Sequence, residues 1–489
     1  MKFIAKHKLW SEEQKAAAED VLKRIEAEGI EIIRLAWADQ YGLVRSKGLS
    51  VDALRSAFAS GSECTVAPFL VDTGASFFQN PFGKNIFTGT DLDGVANMVT
   101  VPDPTTFKIL PWAEKTGWLL SDLYLRDGRP FPLCPRNFLR AAVAKLADAG
   151  YTLNAGLEVE FYLTRIVDPS LEPGTLGGIG VQSTPPVVRV IGKGYSLLLE
   201  SQFDEADGIL SEIRRNLLKL GLPLRSVENE FAPSQYEITF DVMSGIEFAD
   251  TMILFRNAVK QIARRHGYLA SFMCWPGIPD LFPSGWHLHQ SLADKAKGEN
   301  LFIPEEGQAI SEIGKAWAGG ILAHAKAASS FTTPTINGYR RRRPNSLAPD
   351  RLSWAVDNRA AMLRVITNPG DSASRIENRV GEPAANPYLY LASQIHAGLD
   401  GISRKLDPGA MQENPYSADV EVLPTNLSAA LDAFEQSQLY KEAFGEIFAE
   451  YWLALRRHEW GRFAAAEDET ETYSHGVTAW EHREYFELL

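Results

Sequence analysis

Near the start of the chain, apolar positions recur at helical spacing. The pattern predicts a capped helix over 11–28, with Ser11 as N-cap, acidic residues in its first turn and Gly29 closing it. Residues 31–49 form two alternating apolar runs around Asp39-Gln40-Tyr41-Gly42, a hairpin pattern. From about 60 to 130 the chain is rich in Gly, Pro, Asp and aromatics, with strand candidates at 96–102 and 108–113. Pro135-Arg136 opens a second helix over 137–150, and 151–165 reads as a strand. A helix at 206–223, strands at 225–231 and 235–240 and a long helix at 245–267 follow. Helix and strand keep alternating to about 400, which suggests an α/β or α+β catalytic domain. Residues 427–457 read as amphipathic helix. A small strand-rich domain is expected over 1–130, and a catalytic domain over 131–489.

Composition narrows the function classes. The 489 residues are 45% hydrophobic and 23% charged, with a net charge of −13. Such a balance argues against a nucleic-acid binder or an anionic-membrane protein, though a local cationic site can sit inside an acidic protein. The three cysteines, Cys64, Cys134 and Cys274, have no paired-ligand spacing, so neither a disulfide framework nor a zinc knuckle is expected. Charge interrupts the N-terminus and every apolar stretch too early for a signal peptide or a membrane span. A cytoplasmic protein is the expectation.

The candidate chemistry lies in charged residues placed on strands. Glu158 and Glu160 alternate with Leu157, Val159 and Phe161, so strand geometry sends both carboxylates to one face. Like charges side by side are unfavourable unless a cation or solvent lies between them. The pattern recurs at Glu228 and Glu230, again at Glu237, in the imidazole pair His287 and His289, and at Arg375, Glu377 and Arg379. Repeated carboxylates with one or two histidines suit hard cations such as magnesium or manganese. Arg340 to Arg343, Arg351, Arg359, Arg364, Arg375 and Arg379 crowd one stretch of this acidic chain. Guanidinium forks match carboxylate and phosphate oxygens, so metal carboxylates beside them describe a phosphoryl-transfer site. The P-loop and protein-kinase motifs are absent.

In order and spacing, the segments GLEVEF, ENEFAPSQYE, SGWHLHQSL, TPTINGYRRRRPNSLAP, DNRAAMLR and SRIENRVGEPAANPYL resemble the glutamine synthetase superfamily along essentially the whole chain. The resemblance implies an α+β fold: a small N-terminal β-grasp-like domain, then a large catalytic domain with a curved antiparallel sheet and helices. It implies a ligase that phosphorylates the γ-carboxylate of L-glutamate with ATP and lets an amine displace the phosphate. By the same resemblance, Glu160, Glu230 and Glu237 would hold one divalent metal, and Glu158, His287 and Glu377 a second. Magnesium is expected, with manganese possible. His289, Ser291 and Arg375 would lie at the nucleotide, Arg341 and Arg379 at glutamate, and Arg359 and Arg364 at the transferring phosphate. The family's assembly implies a homo-oligomer of stacked rings, a dodecamer, with active sites between subunits.

Departures from the family pattern bear on the amine. The flap carboxylate before Ala-Pro is replaced by Leu347, and an Asn-Gly by Phe282-Pro283. Trp275 stands where a lysine is common, and Trp286 precedes the metal histidine. Asp72 is a loose match to an acid that helps bind ammonium. A flap without its carboxylate is ill suited to a cationic amine. Leu347, Trp275 and Phe282 are therefore expected to face an apolar or aromatic amine such as aniline, as in the γ-glutamylamide synthetase branch, most closely its γ-glutamylanilide synthases. A glutamine synthetase using ammonium and a γ-glutamylpolyamine synthetase remain the alternatives. A glycosidase could use paired glutamates but needs neither the histidines nor the arginines, and a non-catalytic relative would be expected to have lost metal ligands.

Overall fold

The structure, a computed structural model, describes residues 2–417, 419–466 and 476–489. Local sequence signals hold at the start: Ser11 Oγ accepts from the Gln14 N–H at 3.2 Å, Gln14 returns the bond, and the helix runs Glu12–Ala27. The first sheet contains β1 (Ile32–Ala38), β2 (Val44–Ser50), β3 (Ser62–Thr65), β4 (Asn97–Pro102), β5 (Lys108–Ile109) and β6 (Thr116–Tyr124). Its order is β2-β1-β6-β4-β3, with β5 also beside β6, and β1 and β6 run parallel. The hairpin is anchored at its turn. Asp39 accepts from the Tyr41 and Leu43 N–H groups, and Asn386 donates to the Asp39 and Gln40 carbonyls. Gly42 has φ +74°, and a Cβ there would meet Arg256 Nη2 at 2.8 Å.

The second sheet contains β7 (Tyr151–Asp168), β8 (Val187–Arg189), β9 (Leu224–Asn229), β10 (Gln235–Phe240), β11 (Met243–Ser244), β12 (Tyr268–Ser271), β13 (Trp286–Asp294), β14 (Trp354–Val356), β15 (Leu363–Ile366) and β16 (Arg375–Gly381). The order is β14-β15-β16-β13-β7-β10-β9, with β8, β11 and β12 also pairing with β7. Pairing is antiparallel except between β14 and β15, and the sheet curls into a half-barrel. Strand β7 spans 18 residues, about 60 Å at strand rise, and serves as the spine. One of its faces packs on the helices: Leu157, Val159 and Phe161 are at most 1% exposed, and Phe161 meets the ring of Phe255 on helix Glu247–Arg265. The other face carries Glu158 and Glu160. The α+β expectation is met.

Two sequence expectations change. The stretch 427–457 is three helices, Leu427–Glu435, Gln438–Phe444 and Glu446–Ala466, not one. Ser437 caps the second through the Tyr440 N–H, and Gly445 at φ +85° ends it, so local capping breaks the periodic pattern. The helix expected at 206–223 begins earlier, as Glu200–Lys219. No helix among the described residues is long and apolar enough to cross a membrane.

Arg136 ties the first sheet to a helix of the larger part of the fold. It is 3% exposed and donates to Asp103 at 2.9 Å, Asp122 at 2.7 Å and Asp250 at 2.8 Å, the last on helix Glu247–Arg265. Replacing Arg136 with alanine strands buried carboxylates and is expected to cost about 3–5 kcal/mol. Denaturant titration of R136A against wild type measures this; a loss below about 1 kcal/mol contradicts it.

Candidate active site

Register brings the acids together. Glu237 on β10 lies opposite Glu160 on β7 and Glu228 on β9, so three carboxylates form one row across three strands. His287 on β13 lies opposite Glu158, and His289 opposite Glu377 on β16. Arg364 on β15 lies opposite Glu377 from the other side. Glu230 stands just past β9, in the turn into β10, where its carboxylate accepts from the Phe231 N–H at 3.0 Å.

Hydrogen bonds fix the histidines. Arg341 Nη2 donates to His287 Nε2 at 3.3 Å, which leaves the proton on Nδ1, donated to Glu158 Oε1 at 2.6 Å. Arg375 Nε donates to His289 Nδ1 at 3.0 Å, so Nε2 donates to the other Glu158 oxygen at 2.9 Å. Burial, with the Arg379 charge, pushes the His287 imidazole down to about 4, so it is neutral. Burial alone would raise Glu158, but its two histidine bonds hold it well below the carboxylate range. Glu377 is 0% exposed and paired with Arg364 at 3.0 Å and with Arg379. Against burial, the Arg379 charge holds it low.

Of the run Arg340 to Arg343, Arg341 lines the acidic cavity and bonds His287. Arg340 pairs with buried Glu481, Arg342 donates to Ser329, Thr333 and the Pro424 carbonyl, and Arg343 lies over the Trp275 ring. Arg341 is braced by the Arg379 and Gly381 carbonyls at 2.9 and 3.2 Å. Gly285 admits it: a Cβ there would stand 2.6 Å from Arg341 Nη2 and 2.9 Å from His287 Nε2. The Gly285 N–H also donates to Glu160 Oε2 at 2.8 Å, and Gln235 donates to the same oxygen at 3.1 Å.

Two cavities meet over this floor. One, of about 520 Å³, is lined by Asn154, Glu158, Glu228, His289, Ser291, Arg359, Arg364 and Arg375, among others. The other, of about 540 Å³, is lined by Glu158, Glu160, Glu228, Glu230, Glu237, His287, Arg341, Arg359, Arg364 and Arg379. Glu158, Glu228, Arg359 and Arg364 belong to both. The second cavity has an apolar rim of Leu197, Leu198, Phe231, Phe282 and Leu347. Each is large enough for a small-molecule substrate.

The donor set fits divalent cations: oxygen-rich, with imidazole and no thiolate. Ligand atoms of Glu158, Glu237 and His287 converge within 4.8 Å of one another, as do those of Glu158, His289 and Glu377. His287 Nδ1 is also 3.7 Å from Glu377 Oε1. His289, expected beside the nucleotide, is therefore a member of one of these two groups as well as a lining residue of the first cavity.

The aromatic part of the sequence expectation needs correction. Trp275 is 5% exposed, donates its indole N–H to the Leu281 carbonyl and does not line the cavity. Trp286 points to the apolar face, against Phe248 and Tyr390, because it alternates with His287 along β13. Asp72 is buried in an ion pair with Arg462. Phe282 and Leu347 do line the cavity, and Leu197, Leu198 and Phe231 were missed. Leu197 and Leu198 belong to a leucine triplet, Leu197 to Leu199, after a glycine-containing loop, and Phe231 closes the stretch read as a strand.

The sequence matches, over residues 132–475, the family described as glutamine synthetase, catalytic domain. A γ-glutamylanilide synthase of Acinetobacter sp. is 56% identical, aligned over 100% of this chain and 99% of the relative. A glutamate–isopropylamine ligase of Pseudomonas sp. is 33% identical, over 91% of this chain and 95% of the relative. Among solved structures, one described as apo GmaS without ligand superposes with a TM-score of 0.75 at 27% identity, covering 94% of this chain and 98% of that one.

The row of acids makes cation binding a proton-linked event. Burial and the Glu230 charge push Glu160 up to about 8; burial pushes Glu230 up to about 7, and burial with the charges of Glu158 and Glu160 pushes Glu237 up to about 11. These folded values exceed the unfolded value of 4.5, so the folded chain without metal binds more protons. The stability they contribute is full below that value and lost as pH rises through about 7 and 8. In chelator, the melting temperature is expected to fall from about pH 5 to 9, with magnesium restoring more at the higher pH. A magnesium effect independent of pH contradicts this.

Proposed function

The chain belongs to the glutamine synthetase family, and from that premise we propose that it is an ATP-dependent ligase joining L-glutamate to an apolar or aromatic amine such as aniline, giving a γ-glutamylamide. The family uses ATP and a divalent metal. One observation carries the reading: the acid and arginine floor opens into a cavity whose rim is Leu197, Leu198, Phe231, Phe282 and Leu347. The relatives named for anilide and isopropylamide chemistry support it.

In this reading a γ-carboxylate oxygen of glutamate attacks the terminal phosphorus of ATP. The bond to ADP breaks, and γ-glutamyl phosphate forms. The amine nitrogen then attacks the acyl carbon, inorganic phosphate departs, and the nitrogen loses a proton. Arg359 and Arg364 reach both cavities, so their charges meet the phosphoryl group in transfer. His289, Ser291 and Arg375 flank the nucleotide. Arg341 and Arg379, held by backbone carbonyls, present fixed charge to glutamate. Glu160, Glu230 and Glu237 would hold one metal, and Glu158, His287 and Glu377 another. Magnesium, replaceable by manganese, would neutralise phosphate charge there.

The rim decides the amine. Ammonium and polyamines arrive charged and need an anionic group to shed a proton, which Leu347 cannot supply. An arylamine arrives neutral, because its lone pair is delocalised into the ring. An amine body seated against the apolar rim would also keep water from the acyl phosphate. The working form is proposed to be a cytoplasmic dodecamer of stacked rings, residues 1–130 of one subunit completing the site in residues 131–489 of the next. Its support is that no described residue of 1–130 lines either cavity within one chain.

With glutamate, ATP and magnesium, phosphate release is expected to be fastest with aniline, weaker with ethylamine and weakest with ammonium or putrescine. Ammonium as the clearly best acceptor sinks the reading. Arg359→Ala is expected to lower kcat by about 100- to 1,000-fold, with smaller change in the KM for glutamate. An equal kcat would remove Arg359 from the transfer step.

A further inference from the structure

Two leucines on the rim share an unusual combination of properties. Leu198 and Leu347 have φ of +57° and +58°, in the left-handed region where a side chain is strained. They are also 62% and 55% exposed. Strain in the backbone and apolar surface in water both cost free energy, and glycine or a polar residue would remove either cost. Both side chains line the same cavity.

The two positions are held separately. The Leu198 N–H donates to the Asn229 carbonyl at 3.0 Å, and the Ser196 N–H to the Phe231 carbonyl at 3.1 Å, which fastens their loop to the end of β9. The Leu347 carbonyl accepts from Arg379 on β16 at 3.4 Å, and Ser346 Oγ donates to the Arg343 carbonyl at 2.6 Å. In the sheet, β13, β7 and β10 lie between β16 and β9, so the leucines reach the cavity from opposite flanks of the acidic strands. Phe231 and Phe282 complete the rim, with ring centroids 5.3 Å apart at 73°. Phe282 is pinned by Tyr162, whose hydroxyl donates to its carbonyl at 2.5 Å and accepts from its N–H at 3.0 Å.

We propose that Leu198 and Leu347 are paired specificity-determining residues, opposed apolar jaws that close on the body of a neutral aromatic amine above Phe231 and Phe282. The proposal rests on the functional reading above but adds Leu198, to which no family motif points, and gives the two strained leucines one role. A ligand with an apolar body buries both side chains and recovers what their exposure costs. A small cation such as ammonium buries neither.

Glycine separates this role from a structural one, because it removes side chain and strain together, whereas alanine removes only the side chain. For L198G, L347G and the double variant, the ratio of kcat/KM for aniline to that for ammonium is expected to fall about 10- to 100-fold per site, mainly through the KM for aniline. The melting temperatures of the glycine variants are expected to match or exceed wild type, and those of L198A and L347A to lie below the glycine variants. Equal losses with both amines, or an unchanged ratio, overturn the proposal. So does a glycine variant less stable than its alanine counterpart. A wild-type enzyme that prefers ammonium overturns the functional reading itself, a result visible before any variant is made.

Discussion

Glu160, Glu228 and Glu237 stand side by side on three adjacent strands, with Glu158, Glu230 and Glu377 close by. Two ionised carboxylates about 5 Å apart repel by roughly 3 kcal/mol at an effective dielectric near 20. That is comparable to what burying one large apolar side chain contributes, about 1.5–3 kcal/mol. The sheet can bear it because its reverse face is largely apolar: Leu157, Val159 and Phe161 on β7, Ile238 on β10, and Trp286 and Leu288 on β13 are almost wholly buried. Strand alternation couples the two faces. A one-residue slip of β7 would turn its acids into the core and its core residues toward the substrate. The same register that makes the site costly also makes it unique.

What relieves the repulsion determines how the site can work. Protons do so at Glu160, Glu230 and Glu237, while histidine bonds and arginine charges do so at Glu158 and Glu377. The acids therefore divide into Glu160, Glu230 and Glu237, whose hold on protons is raised, and Glu158 and Glu377, which histidine bonds and arginine charges keep ionised. Arg379 links the second group to the flap, since it contacts Glu377, the Arg359 carbonyl and the Leu347 carbonyl with one guanidinium. Charge at the floor and backbone position at the rim are thus mechanically connected. Arg136 does similar work further out, joining Asp103 and Asp122 of the first sheet region to Asp250.

The sequence made the floor legible and the rim obscure, for physical reasons. Glu158 and Glu160 could be placed because strand alternation is strict and leaves their side chains no second choice. The same rule applied to Trp286 would have sent it to the core, opposite His287, where the structure has it. Trp275 gave no such signal: it lies beyond β12 in a loop, bonded to Leu281 of the same loop and to Asn337, a distant partner that periodicity does not reveal. Leu197 and Leu198 reach the cavity because their loop is bonded to Asn229 and Phe231 at the end of β9, a tertiary fact without local signature. The C-terminal helices were legible in kind but not in number, since Ser437 and Gly445 break them by capping chemistry within an otherwise amphipathic run.

Floor and rim together constrain the order of events. The floor gathers charge that favours phosphoryl transfer, whatever amine is to follow. The rim contributes little to that step, because its residues carry no charge, yet it controls what reaches the acyl phosphate afterwards. Water is the smallest competitor, and a wide apolar mouth excludes it poorly while open. An amine with an apolar body would close that mouth by occupying it, so acceptor binding and water exclusion become one event. Ammonium offers no such closure and would need a charged flap instead. Under the proposed function, Leu347 in place of a flap carboxylate would change more than affinity: it would transfer the task of sealing the site from the protein to the amine.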